Sequence, residues 1–197
     1  VMQARSIEVA KKFNVVIHAR SSFSKKRGTI ICKEGNIMED VVVSGVILNK
    51  NEAKITICDV PDKPGLAAKI FNAISEKNIN VDMIVQNVSR QRITDISFTV
   101  PNEVLKRAVR VTRNIARKIE AGSVFEDTDI ARVSIVGVGM KSHPGIAAKM
   151  FQALAEHKIN IEMISTSDIS ISCIIKKKFG EMAVRAIHDR FGLAKQN

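Results

Sequence analysis

The residues best placed to do chemistry fall in two short segments of the same character, Asp62-Lys63-Pro64-Gly65 and Ser142-His143-Pro144-Gly145. Each leads into an apolar pattern of helical spacing, so its Pro-Gly turn sets backbone N–H groups at a helix N-terminus, a place suited to an anion. Gly65 and Gly145 carry no Cβ and permit close backbone approach. A positively charged group on the same ligand needs an acceptor, and Asp62 in the first segment and Asp82 further along are the candidates. Asp62 serves equally well as a helix N-cap two residues before Pro64.

Other chemistries find no support. His143 stands before Pro-Gly with no second His or Cys nearby and reads as a loop residue rather than a catalytic base or metal ligand. His18, His157 and His188 are scattered. Cys32, Cys58 and Cys173 form no CxxC pair, which argues against zinc or a disulfide framework and for a reducing, cytoplasmic setting. Cys58 and Cys173 lie in strand-like apolar runs and read as buried thiols. No Gly-rich phosphate cradle of the P-loop type occurs.

The elements that must position these residues come from a 197-residue chain, long enough for one large or two small domains. Its 45% hydrophobic and 26% charged content describes a globular protein. No run of about 18 apolar residues offers a membrane span. The first residues, VMQARSIEVAKKF, lack a signal peptide's core and predict an amphipathic helix with Met2, Val9 and Phe13 inward. Starting at Val1 rather than Met, the chain reads as a piece of something longer.

The net charge of +11 concentrates in Lys25-Lys26-Arg27, in Lys106 to Lys118 and in Lys176-Lys177-Lys178. Lys106, Arg107, Arg110, Arg113 and Arg117 mark the solvated face of a helix. A nucleic-acid partner is the competing explanation, and the absence of Tyr and Trp weakens it.

A repeat sets the architecture. DKPGLAAKIFNAISEKNINVDMI at 62–84 and SHPGIAAKMFQALAEHKINIEMI at 142–164 share Pro-Gly, Ala-Ala-Lys, Phe, Ile-Asn and Met-Ile in register. A strand precedes each copy, Ala53–Val60 or Ala131–Val138. The helix that follows buries a stripe of Leu66, Ile70 and Ile74 with Ala67 and Phe71, with Pro64 or Pro144 in its first turn. Strands at 81–88 and Ile93–Val100, or at 161–168 and Ile169–Lys176, come next, then helices from about Glu103 to Lys118 and Gly180 to Phe191. The first copy completes a ferredoxin-like β-α-β-β-α-β unit with a strand around Ser123–Phe125, but the second runs out of chain. The unassigned run Val41–Leu48 supplies its missing strand, which makes the first unit an insertion in a discontinuous second one. The expected fold is therefore α+β, with two ferredoxin-like βαββαβ domains. Residues 1–37, with a helix Gln3–Phe13, a strand Val15–Arg20 and the linker SSFSKKRG, belong to neither.

A βαββαβ unit with a Pro-Gly turn after its first strand resembles the ACT domain, a small-molecule sensor. DKPG, VDMIVQNVS, TDISFTV, GMKSHPG and IEMISTSDISIS together resemble the regulatory region of aspartate kinases, and QARSIEVAKKFNVVIHARSSFS resembles the end of that family's catalytic domain and its linker. The resemblance implies ACT domain 1 at 50–127, ACT domain 2 at 41–49 plus 130–192, and the end of a kinase domain at 1–37. Met38 falls near the internal start that some members use to make a separate regulatory subunit.

By the same resemblance, L-lysine, L-threonine or both bind the ACT pair and feed back on ATP-dependent phosphorylation of L-aspartate, on the route to lysine, threonine and methionine. ATP and Mg belong to the full-length enzyme, and the chain alone is expected to need no cofactor and to be inactive. Its partners are the amino-acid effector, a kinase domain or catalytic subunit, and a second copy of itself, with no membrane. The effector-binding set implied is Asp62, Lys63, Pro64, Gly65, Ala67, Asp82, Gln86, Asn87 and Ser89 in the first copy. In the second it is Met140, His143, Pro144, Gly145, Ile146, Asn160, Ile161, Thr166, Ser167 and Asp168. Thr94 and Asp95 open the strand beside the first set, and strand-end hydrogen bonding is the alternative role for Thr166 to Asp168. Two other readings stand beside this one: a free-standing ACT regulator, and a nucleic-acid module, which needs aromatics on the third strand where only Phe98 is found.

Overall fold

In strands buried on one face, apolar residues alternate with polar ones, and Ile55 and Ile57 against Lys54 and Thr56 show that period. A computed structural model describes residues 3–24, 27–32, 42–88, 93–137, 140 and 143–195. It divides into two compact units, 1–41 and 42–197.

The smaller unit holds α1 (Ala4–Lys12), β1 (Ile17–Ala19) and β2 (Thr29–Ile31). β1 and β2 pair antiparallel, Ile17 against Ile31, so the strand expected at 15–20 is shorter and has a partner in a stretch the sequence left unassigned. Val9 and Phe13 are 49% and 66% exposed, which corrects the inward face expected of α1; Met2 lies outside the described residues. Periodicity puts these side chains on one face, but none of the described residues of this unit covers it.

The larger unit begins with β3 (Gly45–Asn49), in the Val41–Leu48 region. The first repeat follows as β4 (Glu52–Pro61), α2 (Leu66–Ser75), β5 (Ile84–Val88), β6 (Ile93–Pro101), α3 (Leu105–Lys118) and β7 (Val124–Asp127). The second is β8 (Ile130–Val136), α4 (Ile146–Glu156), β9 (Met163–Thr166), β10 (Ser170–Lys176) and α5 (Gly180–Arg190). Two four-stranded sheets form, ordered β5-β6-β4-β7 and β3-β8-β10-β9. β3 runs antiparallel to β8, Leu48 opposite Val133, in the place that β7 takes beside β4. Both repeats are thus complete βαββαβ units, the second closed by the strand that precedes the first.

Each sheet packs one face against its two helices. The first core joins Ile55, Ile57, Ile96, Phe98 and Val100 to Ile70, Ile74, Ala108 and Ala116. Phe71 meets Phe98 edge-on at 5.6 Å, a geometry aromatic rings prefer. The second core joins Val133, Ile135, Cys173 and Ile175 to Met150, Leu154, Ala183 and Ile187. A smaller cluster, Met83, Ile130, Met163 and Ile174, forms from the opposite sheet faces where the two repeats meet. Phe98 is fully buried, so it offers no stacking platform for a nucleic-acid base, and the basic residues of α3 from Lys106 to Arg117 lie on its exposed face.

Candidate functional site: the Pro-Gly turns and the junction between repeats

The helix N-termini differ in one respect from the expectation. α2 and α4 begin at Leu66 and Ile146, so Pro64 and Pro144 lie in the preceding turns rather than in the first helical turn. The N-caps are Gly65 (φ 88°) and Gly145 (φ 90°), neither with a side-chain cap bond, which rules out Asp62 as the N-cap. Glycine is required there by the left-handed backbone. A Cβ on either would meet nothing within 4 Å, so the space beside each glycine is open. Asp62, Lys63, Pro64, Gly65, His143, Pro144 and Gly145 are exposed, while Ala67 and Ile146 are half-buried in the first helical turns.

Register decides which candidates share a place. β6 lies between β4 and β5, with Pro61 opposite Ile93, Val60 opposite Thr94 and Asn87 opposite Asp95. The Asp62–Gly65 turn and Gln86-Asn87 therefore flank the same end of the first sheet. The Thr94 hydroxyl donates to the Asn87 carbonyl, and Asp95 Oδ1 accepts from the Asp59 amide at 3.1 Å. In the second sheet the turn at His143–Gly145 and Thr166–Asp168 share the corresponding end, with Gly137 N–H bonded to Ile169 C=O.

Three candidates do not join these ends. Asp82 precedes β5, and Asn160 and Ile161 precede β9, all at the opposite end of their sheets. Met140 does lie at the second end, its carbonyl accepting from the His143 N–H at 3.4 Å, while its side chain is only 8% exposed and packs in the second core. Ser167 is absorbed in the β9–β10 hairpin: its Oγ accepts from Ser170 N–H at 3.1 Å and lies 2.8 Å from Ser170 Oγ. Ser89 lies outside the described residues.

Asp82 has another partner. Arg132 Nη2 stands 2.7 Å from Asp82 Oδ2 and 2.7 Å from Glu52 Oε1. Lys54 holds the same position on β4 that Arg132 holds on β8, and Glu162 corresponds to Asp82. Lys54 is ion-paired to Glu162, which also receives Lys176 at 3.2 Å, and Lys176 reaches Asp127 at 2.8 Å. The repeats thus exchange equivalent ion pairs, as two halves related by a two-fold axis do. Hydrogen bonds to Asp127 and Glu162 push the Lys176 ammonium up to about 12. Burial pushes the Glu52 carboxyl up, against Arg132, which pulls it down.

Sequence reasoning missed Glu52, Lys54, Arg132 and Lys176. A signal was present, because strands aligned on the repeat place a basic residue at 54 and 132 and an acidic one at 82 and 162. Cys58 is half-buried rather than buried, and Cys173 is buried with its thiol pushed up to about 12 by burial, so neither is poised as a thiolate. Among the described residues no group of three or more His, Cys, Asp or Glu is gathered as for a metal ion, and no helix is long and apolar enough to cross a membrane.

Two glycine-capped βαββαβ units exchanging equivalent contacts define a tandem ACT protein. The ACT domain family matches residues 59–114 and 133–191. An aspartate kinase from Pseudomonas fluorescens is 50% identical over 98% of this chain and 47% of its own length. An aspartokinase from Mycolicibacterium smegmatis is 44% identical over the same shares. The chain spans about half the length of these curated relatives. The ligand-free regulatory subunit of aspartate kinase from Thermus thermophilus superposes with a TM-score of 0.73 at 43% identity, covering 76% of this chain and 99% of that one. The chain belongs to the ACT domain family, as an aspartate kinase regulatory region.

Proposed function

We propose that this chain binds L-lysine, L-threonine or both at the Pro-Gly ends of its two sheets and thereby controls phosphorylation of L-aspartate. The observation that carries the reading is the coincidence, in each repeat, of an open, glycine-capped helix N-terminus with exposed polar residues on the neighbouring strand end. The helix end suits the effector's carboxylate. Asp62 with Gln86 and Asn87 suits its ammonium in the first repeat, and His143 with Thr166 and Asp168 lines the second. The two sets differ in chemistry, so the two repeats discriminate between effectors.

The division we propose places ACT domain 1 at 50–127, ACT domain 2 at 41–49 plus 130–192, and the tail of a kinase domain at 1–37. The Thermus thermophilus relative is a regulatory subunit, and another solved relative holds alpha and beta subunits of aspartokinase. Those names support a catalytic partner for this chain, which on this reading is inactive alone. ATP and magnesium belong to that partner, a second copy pairs through the ACT domains, and the setting is the cytoplasm. The effector acts by binding one arrangement of the ACT pair more tightly than another, the only way a ligand shifts such a balance.

The test is inhibition of the full enzyme by each amino acid. Gln86→Ala should raise the inhibiting concentration of one effector by about tenfold, the loss of one good hydrogen bond. Unchanged inhibition by both would remove the first site from the account.

A further inference from the structure

Glu52 is 3% exposed, and among the described residues its Oε2 has no partner within hydrogen-bond distance, although the Thr99 hydroxyl and Asp82 bear on the carboxyl. Its Oε1 is fully engaged, accepting from Asn49 Nδ2 at 2.6 Å and from Arg132 Nη2 at 2.7 Å. A buried carboxylate oxygen left unmatched carries a large desolvation penalty, so its presence asks for a partner. Glu52 lines a pocket of about 420 Å³ together with Asn49, Asn51, Asn80 and Asp82. This pocket lies at the opposite end of β5 from Gln86 and Asn87 and is separate from the effector site proposed above.

The lining is oxygen-rich and holds two carboxylates against the one guanidinium of Arg132, an excess of one negative charge. That balance fits a single positive charge. A divalent ion of the magnesium or calcium kind asks for denser carboxylate coordination and would sit beside the guanidinium. We propose that this pocket binds a small monovalent cation, an alkali ion or a primary ammonium group, on Glu52 Oε2 and Asp82, with Asn80 beside them. Asn49 comes from β3 of the second sheet and Glu52 from β4 of the first, so the bound cation ties the two repeats together. The site exists once: in the second repeat the place of Glu52 is taken by Ile130, buried among Met83, Met163 and Ile174.

The experiment is thermal unfolding of the 197-residue chain in potassium, sodium, ammonium, methylammonium or tetramethylammonium chloride at one ionic strength. Tetramethylammonium, bulky and without a donor, is the reference. At ten times the half-saturating concentration a site cation should raise Tm by about 3 °C or more. Glu52→Gln should abolish that shift, and Asn80→Ala, at an exposed position, should weaken it if the first variant does not fold. Stabilisation by potassium and sodium assigns an alkali ion; stabilisation by ammonium and methylammonium alone assigns an organic ammonium group. A Tm indifferent to the cation at neutral pH would overturn the proposal and leave a proton as the partner of Oε2.

Discussion

Arg132 stands 2.7 Å from Asp82 across the junction between the repeats, and Lys54, its counterpart on β4, is paired with Glu162, the counterpart of Asp82. The two crossings are equivalent in position and differ in the groups around them. Arg132 also holds Glu52, whose side chain is 4% exposed, whereas Glu162 keeps a second cation, Lys176, when Lys54 is lost. Arg132→Ala strands a buried carboxylate and should destabilise the chain by roughly 3 kcal/mol; Lys54→Ala should cost about 1 kcal/mol. Denaturant unfolding of both variants checks the order, and a larger loss in Lys54→Ala would contradict it.

The left-handed positions give effects of opposite sign. Gly65 and Gly145 have φ of 88° and 90° with open space around them, so Gly65→Ala should destabilise by about 1 kcal/mol from backbone strain alone. Lys158, an exposed residue after α4, has φ 56°, and Lys158→Gly should stabilise by about 0.5–1 kcal/mol. Thermal unfolding of the pair decides: shifts of the same sign would mean that backbone conformation is not what sets the residue type at these turns.

Stability at low pH should report the Lys176–Asp127 contact. Burial alone would raise the Asp127 carboxyl, but the hydrogen bond from Lys176, the Asp129 amide and the charges of Lys176 and Lys54 hold it below its ordinary 3.8. The unfolded chain therefore takes up the proton first on acidification. The stabilisation is complete above 3.8 and is lost as pH falls through the lower folded value. Between about pH 5 and about pH 2 the wild type should lose more Tm than Asp127→Asn. Parallel curves would show that the contact contributes nothing.

Much of the fold was legible because it is written twice. Pro-Gly, Ala-Ala-Lys and Met-Ile in register announce two copies, and the strand missing after Phe191 points back to the run before the first copy. The side chains that join the copies were not legible in the same way. Lys54 and Glu162 are 108 residues apart, and alternation along a strand says which face a residue takes, not what that face meets. From the sequence Asp82 reads as an acceptor for an effector's ammonium, and nothing there shows that Arg132, 50 positions on, pairs with it. The cap at Gly65 escaped because Asp62 is a good cap by type, while a left-handed glycine is fixed only by the path of the turn. For Val9 and Phe13 the helical period was correctly read, but a period does not reveal whether the face it makes is covered.

The central claim is that the glycine-capped ends of the two sheets recognise an amino acid, and calorimetric titration of the chain with L-lysine and L-threonine in turn, against an unrelated amino acid, tests it most directly. The account predicts saturable heat with at least one of them, and its loss in Gln86→Ala or Thr166→Ala according to the repeat that binds. A folded chain that gives no heat with either amino acid, both alone and with its catalytic partner present, would contradict it.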